Sequence, residues 1–175
     1  IVFAQAYKEL DMVKKLAPIF NGLTGKFSGS MLIDTKLDET MSPVLATMNG
    51  SGSLTTRDVS LDGVTVIQKV ADVLQKPSLK NTKVKDLNLD FTINEGRVTT
   101  KPFSVKLGDY KMDISGTTGL DQTIDYRGKI AIPESLGKLA KAGTADLIIG
   151  GTFTSPKVSV DLESLAKSAA KEAAK

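Results

Sequence analysis

The 175-residue chain contains no cysteine, no histidine and no tryptophan, and only 5% of its residues are aromatic. The lack of cysteine excludes disulfides, thiolate nucleophiles and cysteine-ligated zinc. The lack of histidine removes the commonest general base and a common transition-metal ligand. An enzyme site would have to be built from carboxylates, serines or lysines alone. We therefore expect a non-enzymatic protein with no catalytic residues, no metal and no cofactor.

A strong excess of one charge sign and long apolar runs are also missing. The chain has 23 basic and 20 acidic residues, interleaved to a net charge of +3, so no nucleic-acid-binding surface is predicted. No stretch approaches the roughly 18 consecutive apolar residues that a membrane-spanning helix needs. The sequence begins Ile1-Val2-Phe3-Ala4, without a methionine, and contains no basic stretch followed by a long apolar one. We expect it to be a segment of a longer or processed protein, with any anchor or targeting signal outside it.

The second half of the chain alternates apolar and polar residues with a period of two. Successive side chains of a strand point to opposite faces, so each segment predicts a strand with one apolar side. Short turns between the segments predict an antiparallel sheet with one apolar face. The apolar positions are Leu87-Leu89-Phe91-Ile93, Phe103-Val105-Leu107, Tyr110-Met112-Ile114, Ile124-Tyr126-Ile130-Ile132 and Ala145-Leu147-Ile149-Phe153.

Turns and bulges are predicted from glycine, proline and breaks in the alternation. A hairpin turn is expected at Asn94-Glu95-Gly96, and the next turn at Gly108-Asp109. The alternation slips near Arg57-Asp58, which predicts a β-bulge, and again at Lys101-Pro102, which predicts a bulge or a sheet edge. A further turn is expected at Asp121-Gln122.

Helices are predicted where the apolar spacing changes to three and four residues. The predicted helices cover residues 4–20, 64–75 (with Asp62 or Thr65 as its N-cap), 134–141 and 162–175. The fold class is accordingly α+β, mainly β: a curved antiparallel sheet of about eight strands with two to four helices packed on its apolar face. We expect a single domain over residues 1–175, with a helical lead-in (1–22), a β-rich core (24–162) and a helical tail (163–175).

The apolar sheet face is the candidate functional surface, since it faces either lipid or a protein partner unless the helices cover it. Two interpretations remain open: these residues form an ordinary core, or part of the face is left uncovered, and an exposed apolar patch usually marks an interface. The candidate residues are Met31, Ile33, Leu89, Phe91, Phe103, Val105, Met112, Ile114, Ile130 and Leu147.

Several short motifs occur in a recognisable order along this β-rich region. They are Gly50-x-Gly52-x-Leu54, Val84-x-x-Leu87-x-x-x-Phe91-x-Ile93-x-x-Gly96, Gly119-Leu120-Asp121 and Ile149-x-Gly151-Thr152-Phe153-x-x-Pro156-x-Val158. In this order and spacing the chain resembles the C-terminal region of AsmA-family proteins, including the AsmA-like proteins of Bacteroidetes. The resemblance covers roughly residues 24–162.

The resemblance implies a place in the envelope of Gram-negative bacteria. AsmA-like proteins carry an N-terminal inner-membrane helix and a long periplasmic β-rich body, and they are linked to outer-membrane biogenesis. Related members resemble bridge-like lipid-transfer proteins, so the resemblance implies phospholipid acyl chains or other envelope proteins as partners. It implies no catalytic residues. The alternative is a structural or protein-interaction β-domain with a fully covered core and no bound lipid.

Overall fold

One antiparallel sheet of nine strands runs through most of the chain. The computed structural model describes residues 1–131, 133 and 143–161. Within them the predicted class, a mainly-β α+β fold, is confirmed. The strands are β1 (Thr24–Asp34), β2 (Asn49–Ser60), β3 (Lys83–Val84), β4 (Asn88–Asn94), β5 (Arg97–Leu107), β6 (Tyr110–Thr118), β7 (Ile124–Ala131), β8 (Thr144–Gly151) and β9 (Pro156–Val160).

The sheet is a meander in which strands adjacent in sequence are mostly adjacent in space. The order is β1-β2-β4-β5-β6-β7-β8-β9, and every pairing is antiparallel. The ninth strand, β3, pairs with β2 outside this path. It has only two residues, too few for any alternation, which is why the sequence predicted about eight strands.

The tight turns and both bulges are where the sequence predicted them. Glu95 and Gly96 have φ of +47° and +79° and join β4 to β5 as a two-residue hairpin. The β1–β2 register shifts at Asp58, whose φ is +53°. The β5–β6 register shifts between Thr100 and Phe103, so the bulge contains Pro102, where a missing N–H costs no regular ladder bond. Each bulge restores the alternation, so one face stays apolar along the whole strand.

Three short α-helices are described: α1 (Phe3–Glu9), α2 (Asp11–Leu16) and α3 (Thr65–Val73). The predicted continuous helix over residues 4–20 is therefore wrong. The chain leaves helical geometry at Leu10, with φ −110° and ψ 102°. The two helices bury side chains in different apolar clusters of the core: α1 buries Phe3 in the larger cluster, and α2 buries Leu16 in the smaller one.

The predicted side-chain cap of α3 is also wrong. Its N-cap is Val64, which makes no capping hydrogen bond. Val64 is instead buried in the larger cluster, so packing determines where the helix begins. The predicted helices over 134–141 and 162–175 lie outside the described residues.

The core consists of two apolar clusters on one face of the sheet. The smaller cluster consists of Leu16, Met48 and Ile93. The larger cluster contains the tight ring trio Phe3, Phe20 and Phe27, whose centroids lie 4.7–5.0 Å apart, Phe27 being partly buried. Its other buried members include, among others, Val59, Leu61, Val70, Leu107, Tyr110, Met112, Ile130, Leu147 and Ile149.

Candidate functional site

The strand register places all the candidate surface residues on the same face of the sheet. Phe103 lies opposite Ile114, Val105 lies opposite Met112, and Met112 lies opposite Ile130 on the next strand. On the same face, toward the β1 edge of the sheet, Met31 and Phe91 flank Gly52. The remaining candidates belong to the same set by pairing, namely Ile33, Leu89 and Leu147.

These residues differ sharply in burial. Met112, Ile130 and Leu147 are at most 1% exposed, so they are core and cannot touch a ligand. Met31 is 44% exposed. The other candidates are half-buried, namely Ile33, Leu89, Phe91, Phe103, Val105 and Ile114. The structure therefore reduces the candidate surface to the part of the face that the helices leave open.

A continuous stretch of this face contains no buried residue; we call it the central band. It lies between the two clusters and crosses β1, β2, β4, β5, β6 and β7. It consists of two rows, each made largely of residues that lie directly opposite one another on neighbouring strands. Buried residues bound it on both sides, with Ile93 and Thr118 in the row beyond one border and Thr56 and Met112 beyond the other. Its members are Gly29, Met31, Gly52, Leu54, Leu89, Phe91, Thr100, Phe103, Ile114, Gly116, Tyr126 and Gly128.

Of the described helices, α1 and α3 contact edge strands of the sheet, whereas α2 packs Leu16 with Ile93 in the smaller cluster. α1 contacts β1 at one edge, and α3 contacts β9 at the other. Within the described part of the chain, Leu89 and Phe103 pack against neither buried cluster. Together with the exposed Met31, they are the apolar side chains of the band that contribute least to the core.

Aromatic rings lying over glycines line part of the band. A Cβ at Gly52 would lie 2.6 Å from Phe91 Cζ, so the ring of Phe91 occupies the space above that glycine. In the same way, a Cβ at Gly116 would lie 2.5 Å from Tyr126 Cγ. In each case the ring comes from the opposite position of the neighbouring strand and covers a site that would otherwise expose backbone. Here the floor of the band is ring faces and glycine backbone.

The only polar side chains in the band are neutral hydroxyls. The hydroxyl of Tyr126 lies 3.1 Å from Thr118 Oγ1 and 3.3 Å from Thr100 Oγ1. No band residue carries a charge. This composition suits an apolar or neutral ligand and gives no anchor for a bare anion.

The opposite face of the sheet is polar and exposed, as the alternation predicted. Lys129 Nζ lies 2.6 Å from Asp146 Oδ1 across β7 and β8, and both side chains are exposed. Ser104 donates a hydrogen bond to Asp113 across β5 and β6. Ile148, 44% exposed, is an apolar exception on this face.

The carboxyl groups with a shifted pKa lie in turns and at the N-terminal helices, away from the band, and burial in the larger cluster raises the pKa of Tyr110 on β6. Hydrogen bonds from the Thr40 side chain and the Ser42 backbone lower the pKa of Asp38, and hydrogen bonds from Thr123 lower that of Asp121. The hydrogen bond from Lys14 lowers the pKa of Asp11. Among the described residues no group of three or more carboxylates is placed to hold a metal ion.

Sequence reasoning missed about half of the band. Gly29, Leu54 and Tyr126 lie in predicted strands, but none of them was among the candidate residues. The alternation along β2 indicates that Leu54 shares a face with Gly50 and Gly52, because the three residues are two apart. Knowing that these positions face Phe91 or Leu89 requires the β2–β4 register, which pairs strands separated by α3 and β3.

Comparison with protein-family models, curated proteins and solved structures finds no match to this chain. The resemblance to the AsmA family therefore remains an expectation from the sequence. Of the helices in the described ranges, none combines the length and the apolar character needed to cross a bilayer.

Proposed function

We propose that this chain is a non-enzymatic module of the AsmA type that handles lipid by holding acyl chains on the central band. The observation that carries the proposal is that a continuous apolar band crosses six strands without a buried residue. The apolar side chains of this band stay partly accessible to solvent, and accessible apolar patches usually mark an interface.

The dimensions of the band suit an acyl chain. Six strands spaced about 4.8 Å apart give a length of about 24 Å across the strands. A bilayer's hydrocarbon core of about 30 Å contains two opposed chains, so one chain spans about 15 Å. A lipid tail lying across the strands would fit within the band.

The energy available is sufficient for reversible binding. Burying ten methylene groups contributes about 8 kcal/mol at about 0.8 kcal/mol each, before the entropy cost of ordering the chain. The exposed parts of Leu89, Phe103 and Ile114 would be buried in the same step. The Tyr126 hydroxyl, already hydrogen-bonded to two threonines, makes no demand on the ligand.

The resemblance alone supports the wider setting of this proposal. We infer a periplasmic location, an inner-membrane anchor outside this segment in the full-length protein, and a role in outer-membrane assembly or in lipid transport between membranes. Phospholipid is the inferred cargo, and no nucleic acid is expected.

Uptake of a fluorescent phospholipid from vesicles tests the proposal. Leu89→Lys and Phe103→Lys place a charge in the band without removing a member of either cluster, and we expect uptake to fall about tenfold or more. The matched control is Ile148→Lys, which changes an exposed apolar residue on the opposite face and should bind as the parent protein does. Binding that is absent in the parent chain, or equal in all three variants, would refute the proposal.

The second candidate function is an interaction domain that holds no lipid. It is favoured by a separate observation, the clustering of exposed apolar residues along the outer edge of β1. Native mass spectrometry after gentle purification separates the two, since retained phospholipid is expected only for the first.

A further inference from the structure

The outer edge of β1 presents backbone groups that no described strand pairs with. At one end the N–H of Phe27 donates to Ile1 O at 2.8 Å, and the Ile1 ammonium donates to Phe27 O at 3.0 Å. On the inner side Thr56, opposite Phe27, donates its N–H to Leu87 O, away from β1. Phe27 therefore points its backbone groups outward, and the alternation of an antiparallel strand makes Gly29, Met31 and Ile33 do the same.

The free part of this edge is short and lacks the usual protection. Ile1 and Val2 cover it at Lys26 and Phe27, and β1 ends at Asp34, which leaves residues 28–34. Residues 28–33 contain no charge and no proline, the devices that normally keep edge strands from pairing. Met31 is 44% and Leu32 is 78% exposed.

We propose that this edge pairs with the same edge of a second copy of the chain, in antiparallel orientation and centred on Met31. Met31 then lies opposite Met31 of the other copy, and Gly29 lies opposite Ile33. The three outward-pointing residues of each copy together make about six backbone hydrogen bonds. The two sheets become one, with both apolar faces on the same side.

The free stretch can pair with itself along its whole length without placing like charges opposite each other. Its midpoint is Met31, so the two-fold register uses all of its residues. Asp34 lies opposite Ser28 and not opposite another acid. In this register the N-terminal residues of one copy lie beside the residues that follow β1 in the other copy. Exposed apolar residues therefore lie at both ends of the contact, namely Ile1, Val2, Leu37 and Met41.

The contact is small, so the dimer should be weak. A single strand edge buries less than the roughly 1,200 Å² of the smallest standard interfaces. We expect a dissociation constant in the range of about 10 μM to 1 mM, which requires measurement at high protein concentration. The proposal does not depend on lipid binding, since its readouts require no lipid.

Cysteine crosslinking tests the register, and the natural absence of cysteine makes single variants clean. In Met31→Cys the two Cα atoms would lie about 5.5 Å apart, within the range of a disulfide. In Leu32→Cys they would lie about 8 Å apart, because Leu32 faces Ser30 of the other copy. In a glutathione redox buffer, Met31→Cys should form dimers about tenfold faster than Leu32→Cys. Because Leu32 is the more exposed of the two, equal or faster crosslinking at Leu32 would mean random collision and would overturn the proposal.

Sedimentation equilibrium provides the second measurement. The parent chain should show a monomer–dimer equilibrium, and Met31→Lys should weaken it about tenfold or more. Ile148→Lys is the control, since it changes an equally exposed apolar residue on β8 and should leave the equilibrium unchanged. A parent chain that stays monomeric up to about 1 mM, or a dimer that Met31→Lys does not weaken, would overturn the proposal.

Discussion

Two leucines on the same face of the sheet offer a direct test of whether the central band is separate from the core. Leu147 on β8 is 1% exposed and packs in the larger cluster, whereas Leu89 on β4 is half-buried and packs against neither cluster. The same change, leucine to alanine, removes the same atoms at both positions. Only the surroundings differ, so the difference in the free energy of unfolding reports the surroundings.

The expected magnitudes follow from burial. At Leu147 the lost transfer free energy adds to the cost of the cavity, and Leu→Ala in a packed core costs about 2–5 kcal/mol. At Leu89 part of the side chain already meets solvent and no closed cavity forms, so the loss is about 1 kcal/mol. For a protein of this size, 1 kcal/mol corresponds to a change in Tm of about 2–4 °C.

Urea unfolding followed by circular dichroism measures both variants against the parent chain. The m-value should stay constant, so that the shift in midpoint reports stability alone. If Leu89→Ala destabilised the protein as much as Leu147→Ala, the band would be closed core, and the argument for an open apolar surface would fail.

Three further predictions concern backbone and charge. Gly116→Ala should lower the free energy of unfolding by about 1–3 kcal/mol, because its Cβ would overlap the neighbouring strand, whereas Gly150→Ala, with no atom closer than 4.0 Å, should be nearly neutral by thermal unfolding. Glu95→Asn should raise the stability by about 0.5–1 kcal/mol in the same assay, because Asn tolerates the positive φ of the Glu95-Gly96 hairpin better; a lower Tm would contradict this. Hydrogen bonds from Thr123 lower the pKa of Asp121, so the ionised carboxylate contributes to folding stability above pH 3.8, and this contribution is lost as the pH falls through the folded-state pKa. Asp121→Asn should therefore be less stable than the parent chain at pH 7, and the difference in the free energy of unfolding should close in acid. A difference that is independent of pH would argue against the assignment.

Much of the fold was predictable because its signals are local. A two-residue turn such as Glu95-Gly96 brings adjacent strands together without any distant information, so the meander from β4 to β7 follows from alternation and turn chemistry. The Pro102 bulge was visible for the same reason, as a slip in phase. The helix over residues 4–20 was wrong because Leu10 continues the helical spacing, and only the positions of two separate clusters interrupt the helix there.

The sequence by itself determined that one face of the sheet is apolar, since period-two alternation places side chains on opposite faces wherever the strand lies. It also determined the absence of thiol and imidazole chemistry. Only the tertiary structure decided which part of that face stays partly accessible, because burial depends on which elements pack over each strand and not on the residue itself. Leu147 and Leu89 are identical in type and phase, and their opposite environments arise from contacts between elements far apart in the chain.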